Sequence, residues 1–236
     1  MNTQCGVRSA ECGAGSAECA AITLVCFAVK TEAAAFAGLA STRPQVRMLI
    51  TGMGWDNAAR KVRAALAGQR PKLVLSCGFA GGLNPELAAG TVVYAADTET
   101  GLGPVLLAAG ARPARFYCAR QAACTAASKR AARVATGADA VEMESQVICA
   151  LCQERQIPSA TVRVILDSVS EDLPLDFNLL MTPDQRLDPI KLSLALVKSP
   201  AKVSALIRLR SQSRAAARRL AEVLVRVVDR AAPVRP

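Results

Sequence analysis

The chain is predicted to be an α/β protein of the three-layer kind, a parallel sheet covered by helices, and three observations predict it. Short runs rich in Val, Leu and Ile lead repeatedly into glycine turns and then into Ala-rich stretches, the alternation that builds βα units. Apolar residues make up 52% of the chain, yet the aromatics are only one Trp, two Tyr and five Phe. The core must therefore be aliphatic, which suits strands buried on both faces. Third, 236 residues without an internal repeat or a composition break need no more than one domain of the larger sort.

Residues 1–20 hold no continuous apolar signal core, because Glu11 and Glu18 interrupt them, and are expected to form a poorly ordered leader before a domain from 21 to 236. Residues 21–29 predict a buried strand, followed by Lys30-Thr31-Glu32 opening a helix to Ala40. A second strand over 46–50 ends at Thr51-Gly52-Met53-Gly54, with Asp56 and Asn57 as caps for a helix through 58–67. After Pro71, a strand over 72–76 is expected to break into Gly78-Phe79-Ala80-Gly81-Gly82, and Gly90-Thr91 turns into a strand through Tyr94. Residues 100–113, rich in Gly, Ala and Pro, carry no legible element. Helices are expected over 121–135 and 145–155, and Pro158 marks the return to a strand over 160–166. From 202 to 230, Val203, Leu206, Ile207, Leu220, Val223, Leu224, Val227 and Val228 recur at helical spacing beside Arg208, Arg214, Arg218, Arg219 and Arg226. That pattern predicts a basic amphipathic helix.

The net charge of +10 is concentrated at the end, where Lys191 onward holds eleven Lys or Arg against Glu222 and Asp229. No groove-reading or stacking element accompanies it, so no nucleic-acid partner is expected. The excess fits either a solvated helix face or a helix in weak peripheral contact with anionic membrane. No apolar stretch reaches the ~18 residues of a span, and a cytoplasmic protein is expected, at most peripheral to the inner face of the membrane. Among nine cysteines, Cys5, Cys12, Cys19 and Cys26 recur every seven residues, a spacing that suits neither a zinc knuckle nor a cluster. Cys149 and Cys152 form a CxxC expected in mid-helix, facing the core. The chain has no histidine, which excludes Ser-His-Asp and Cys-His nucleophile systems and His-based metal sites. Acid–base work falls to Asp, Glu, Lys or Tyr, and no cofactor or metal is expected.

Ligands of such sheets bind beyond the carboxyl ends of the strands. This places Glu32, Gly52–Gly54, Ser76–Gly82 and Asp167 where they can converge. The glycines of Ser76-Cys77-Gly78-Phe79-Ala80-Gly81-Gly82 either let backbone approach a ligand closely or merely make a tight turn. In Val141-Glu142-Met143-Glu144-Ser145, the acids either cap a helix start or Glu144 accepts hydrogen bonds from vicinal hydroxyls, with Met143 packed beneath. Strand alternation puts Arg163 and Asp167 on one side. The apolar Val164-Ile165-Leu166 should raise the pKa of Asp167, and an inward-pointing Arg163 would oppose the rise.

Glu32 after strand one, Gly-x-Gly-x-x-Asn-Ala from Gly52 to Ala58, the Ser76–Gly82 run, Val141–Ser145 and Arg163-Val164-Ile165-Leu166-Asp167 occur in order over about residues 22–170. In this the chain resembles the purine nucleosidase and nucleoside phosphorylase superfamily, which contains methylthioadenosine/S-adenosylhomocysteine nucleosidase. The resemblance implies one three-layer α/β/α domain with a mixed, mostly parallel central sheet of the nucleoside phosphorylase type, cleavage of the N-glycosidic bond of an adenine nucleoside, and a homo-oligomer, most simply a dimer. It implies that Glu32 activates the attacking water, Asp167 protonates the departing purine at N7, and Glu144 binds ribose beside Met143. Ser76 and Gly78 belong to the loop lining base and sugar, and Glu142 lies close by. Val164–Ser168 followed by Glu171-Asp172-Leu173-Pro174-Leu175-Asp176-Phe177 resembles the hopanoid-biosynthesis-associated branch, which implies a lipid-linked substrate, adenosylhopane.

Two departures bear on the acceptor. Phosphorylases of the superfamily carry an arginine three residues before the serine matched by Ser76, where this chain has Leu73, and another after strand one, where it has Lys30-Thr31-Glu32. Without an Arg fork phosphate is held less tightly, which favours water. Lys30, Arg47, Arg120 or a neighbouring subunit's arginine keeps inorganic phosphate open as a co-substrate. A non-catalytic nucleoside-binding module is the alternative of another class. Phe116 and Tyr117 are near the expected base-stacking segment, and neither is assigned.

Overall fold

The computed structural model describes residues 22–182, 184, 188–198 and 202–230. The expected leader, with Cys5, Cys12 and Cys19, lies outside the described residues. The first half alternates strand and helix: β1 (Thr23–Phe27), α1 (Lys30–Ala40), β2 (Val46–Ile50), α2 (Trp55–Gly68), β3 (Leu73–Gly82) and β4 (Val92–Ala96). Next come α3 (Leu102–Ala108), β5 (Arg112–Pro113), β6 (Phe116–Cys118), α4 (Ala126–Thr136), β7 (Ala140–Glu142), α5 (Ser145–Gln153) and β8 (Ser159–Asp167). Three helices close the chain, α6 (Phe177–Leu180), α7 (Pro189–Lys198) and α8 (Lys202–Arg230).

The sheet runs β2-β1-β3-β8-β4-β5, with β7 on the end of β3 and β6 beside β7. Neighbours from β2 to β8 are parallel, whereas β4 is antiparallel to β8 and β7 to β3. The sheet is thus mixed and mostly parallel, as expected. Alternation along β1 sends Val25 and Phe27 to one face and Leu24 and Cys26 to the other. The first face is covered by Phe36 of α1, Leu106 of α3 and Leu220, Leu224 and Val227 of α8. The second is covered by Val62 and Leu66 of α2 and Ile148, Leu151 and Cys152 of α5. The CxxC therefore sits in a helix with Cys152 facing the core.

Three expectations are corrected. The third strand does not break after Ser76 but continues to Gly82, paired with β8 through Gly78↔Arg163 and Gly81↔Asp167 and shifted in register between Ala80 and Gly81. Gly78 does not break the strand; it makes room for the Arg163 side chain that crosses it. The second helix begins at Trp55, so Asp56 and Asn57 lie inside it and Gly54 is its cap, at φ 81°. The helix expected over 121–135 starts at Ala126, where the Thr125 side chain accepts the Ser128 N–H and sets the boundary. Residues 100–113, illegible in sequence, contain α3. Among the described residues no helix is long and apolar enough to cross a membrane.

Candidate active site

The ends of the parallel strands β1, β3 and β8 deliver part of the site, and the junction of β7 with α5 delivers the rest. Just past β1 the chain enters α1, and Glu32 in its first turn folds back so that Oε2 accepts the N–H of Ala28 (3.0 Å) and Val29 (3.1 Å). Its other oxygen accepts the N–H of Phe79 on β3 at 2.9 Å. Burial pushes the pKa of this carboxyl up, while Arg163 and the three N–H donors work against the rise. A carboxylate so held is immobile and keeps lone pairs for a further donor.

Arg163, on β8, is 1% exposed and organises the next layer. Its Nη2 donates to Glu142 Oε2 (2.6 Å), Ser76 Oγ (3.3 Å) and Glu144 Oε2 (3.4 Å). The guanidinium passes directly over Gly78, where a Cβ would stand 2.5 Å from Arg163 Nη1 and 2.7 Å from Glu32 Oε1. Gly78 is therefore required by close approach of two charged groups. Glu142 also accepts the N–H of Glu144 (2.9 Å) and Ser145 (2.8 Å) and the Ser145 hydroxyl (2.7 Å). Against the push of burial, Arg163 and these donors hold Glu142 below its ordinary value. Glu144 goes the other way. Its Oε1 accepts the Gly54 N–H at 2.7 Å, but burial, resisted by Arg163 and reinforced by Glu142, pushes it up to about 7. The two neighbouring acids are thereby pushed in opposite directions.

Asp167 closes β8 and forms an ion pair with Lys129 of α4, a lysine that is 0% exposed. Burial raises the pKa of Asp167 and Lys129 opposes the rise. Arg163, expected in that role, is instead turned into the Glu142 and Glu144 cluster.

These groups border one cavity of about 350 Å³. Glu32, Glu142, Met143, Glu144 and Asp167 line it, with Phe79 and Met53 between them. Leu173, Phe177, Met181 and Leu209 supply an apolar portion from the β8–α6 connection, α6, its end and α8. Of the residues singled out in sequence, Ser76 and Gly78 do not reach the wall; they lie behind it, against Arg163. Phe116 packs instead against Ala80, Ala140 and Ile165, and Tyr117 is exposed, so neither faces the cavity. The cations that could hold phosphate are elsewhere: Lys30 is exposed, Arg47 donates to Gln69, and Arg120 stacks over Trp55 at 4.7 Å. Among the described residues no Lys or Arg lines the cavity. Sequence reasoning missed Lys129 and the α8 contribution of Leu209 and Ser213, whereas Phe79 lies inside the Ser76–Gly82 run and Leu173 and Phe177 inside the Glu171–Phe177 run.

Fold and site together define an α/β protein whose parallel strands end in a mostly apolar cavity studded with four carboxylates. The chain belongs to the Phosphorylase superfamily, which its residues 20–137 and 114–198 match. Solved structures of similar fold include the futalosine hydrolase of Helicobacter pylori, at 13% identity over 89% of this chain and 98% of that one, with a TM-score of 0.65. Campylobacter jejuni 5′-methylthioadenosine/S-adenosylhomocysteine nucleosidase is similar at 16% identity over 89% and 99%, TM-score 0.64. The corresponding Neisseria meningitidis enzyme, in complex with methylthio-immucillin-A, gives 16%, 89%, 99% and 0.61. At these identities the likeness is one of fold. No curated protein sequence matches the chain.

Proposed function

We propose that the chain is a purine nucleosidase, hydrolysing the N-glycosidic bond of an adenine nucleoside. The observation that carries this reading is the cavity wall, four carboxylates with no Lys or Arg among the described residues. Loss of a purine leaves positive charge on the sugar ring, which such a wall stabilises. A phosphate dianion finds in the same wall the Glu32 carboxylate and, among the described residues, no Lys or Arg to hold it. Glu32, fixed by three N–H donors, takes a proton from the water whose oxygen bonds to C1′. As the C1′–N9 bond breaks, its electron pair moves into the purine, and Asp167 supplies the proton at N7. Glu144 accepts hydrogen bonds from the sugar hydroxyls above Met143, and Glu142 holds Arg163 and the start of α5 in place. Ser76 and Gly78 act behind the wall rather than on the ligand.

The apolar portion formed by Leu173, Phe177, Met181 and Leu209 suits an apolar 5′ substituent. With the Glu171–Phe177 resemblance, it supports a lipid-linked substrate of the adenosylhopane kind. Leu179, Ile190, Leu194, Val203 and Ile207 are exposed on α6, α7 and the first turns of α8, and α8 also carries exposed Arg208 and Arg210. That combination supports a cytoplasmic enzyme in reversible contact with anionic membrane, and the family resemblance supports a homodimer. Product analysis with adenosine, methylthioadenosine, S-adenosylhomocysteine and an adenosyl-lipid mimic tests the reading. Free adenine with a free sugar is expected. Tight nucleoside binding without turnover of any of the four would make the chain a binding module.

A further inference from the structure

Lysine is among the residues least often fully buried without a partner, and the side chain of Lys129 is buried completely. An ammonium has three protons, and Lys129 has three acceptors, all from one short segment. Nζ pairs with Asp167 and donates to the carbonyls of Ser168 (3.0 Å) and Glu171 (2.6 Å). The same segment is fastened to the start of α4 a second time, where Asp172 Oδ1 accepts the Ala126 N–H at 2.6 Å, and Leu173 N–H donates to Cys124 O at 2.8 Å. The end of β8 and the turn after it are thus clipped to α4 beside the cavity.

We propose that Lys129 is a positioning residue for Asp167, holding one carboxyl oxygen so that the other meets the leaving base, and stabilising the carboxylate formed when the proton has gone. The proposal rests on the reading of Asp167 as the acid. When Asp167 gives its proton to N7, a neutral acid becomes an anion in a buried place, and among the described residues the cation in contact with it is Lys129. Other charges face Asp167 from farther away. Glu171 and Asp172 lie in the following turn and Arg208 on α8 across an adjoining cleft, and Glu32, Glu142 and Glu144 share the cavity. Most of these disfavour the anion, which leaves Lys129 as the group that makes Asp167 a usable acid.

The test is the pH profile of kcat/KM for methylthioadenosine hydrolysis by wild type, Lys129→Gln, Lys129→Arg and Asp167→Asn. Gln offers amide N–H donors toward the Ser168 and Glu171 carbonyls, one bond short of the lysine's reach and without the charge; melting temperatures check that it folds. Removing an opposite charge at contact raises a carboxyl pKa by about 1–3 units, so the alkaline limb moves to higher pH by that much in Lys129→Gln. Its kcat falls by less than the ~10²–10⁴-fold expected for loss of the acid itself, with KM little changed. Lys129→Arg keeps the limb near its wild-type place. An unmoved limb in Lys129→Gln, with Asp167→Asn inactive, overturns the role of Lys129 alone. Near-normal turnover by Asp167→Asn removes the acid role, and the proposal falls with it.

Discussion

Asp167 carries the sharpest single-residue prediction. Asp167→Asn is expected to cut turnover by about 10²–10⁴-fold with nucleoside binding nearly intact, read by steady-state kinetics beside equilibrium binding. Glu144→Gln should weaken riboside binding far more than free adenine binding; equal losses would make Glu144 structural. The same residue predicts a pH dependence of stability. Burial lifts Glu144 from its ordinary 4.5 to about 7, so the native state keeps a proton that the unfolded chain releases. Its contribution to stability therefore falls as pH rises from about 4.5 to about 7. Urea midpoints across that window should decline in wild type and decline less in Glu144→Gln. At Gly78, a Cβ 2.5 Å from Arg163 Nη1 forces the guanidinium or the strand to move. Gly78→Ala should cost about 1–3 kcal/mol, with activity lost beyond what the folded fraction explains. Local motifs made Glu32, Glu142, Met143, Glu144 and Asp167 legible, because each sits where a strand or helix boundary is marked in sequence. Lys129 was not legible. In Ala127-Ser128-Lys129-Arg130 it looks like any solvated helix cation, and only the turn after β8, some forty residues later, gives it a purpose.

At the scale of elements, β3 and α8 are the instructive cases. Three glycines in seven residues signalled a turn, yet Gly78, Gly81 and Gly82 pair inside the sheet. Glycine spacing alone does not distinguish a chain that bends from one that is crossed by Arg163. The period of α8 was legible over its whole length, but its two halves do different things. Leu220, Leu224 and Val227 are buried in the core, while Leu209 and Ser213 border the cavity and Val203 and Ile207 are exposed. Leu224→Ala should therefore destabilise by about 2–5 kcal/mol in denaturant melts. Neutralising Arg208, Arg210 and Arg214, which are exposed, should leave stability almost unchanged. Those variants serve in vesicle co-sedimentation, where wild type is expected to bind anionic vesicles weakly at low salt and the neutralised chain not to. Equal, negligible binding of wild type to anionic and neutral vesicles would end the membrane proposal without touching the nucleosidase reading.

For the whole molecule, the α/β alternation and aliphatic composition were enough to predict three layers, since a parallel sheet buries both faces and needs helices on each. The short strands β5, β6 and β7 were not legible. Two or three residues carry no period, and their pairing is decided by the long strands they join. The proposal of water as the acceptor depends on the whole cavity, whose lining among the described residues holds four acids and no Lys or Arg. The direct measurement is adenine release from methylthioadenosine in scrupulously phosphate-free buffer and again with added phosphate, with the sugar product identified in both and Asp167→Asn as control. Turnover independent of phosphate, yielding the free sugar, is the predicted result. Turnover only when phosphate is present, yielding the sugar 1-phosphate, would contradict it.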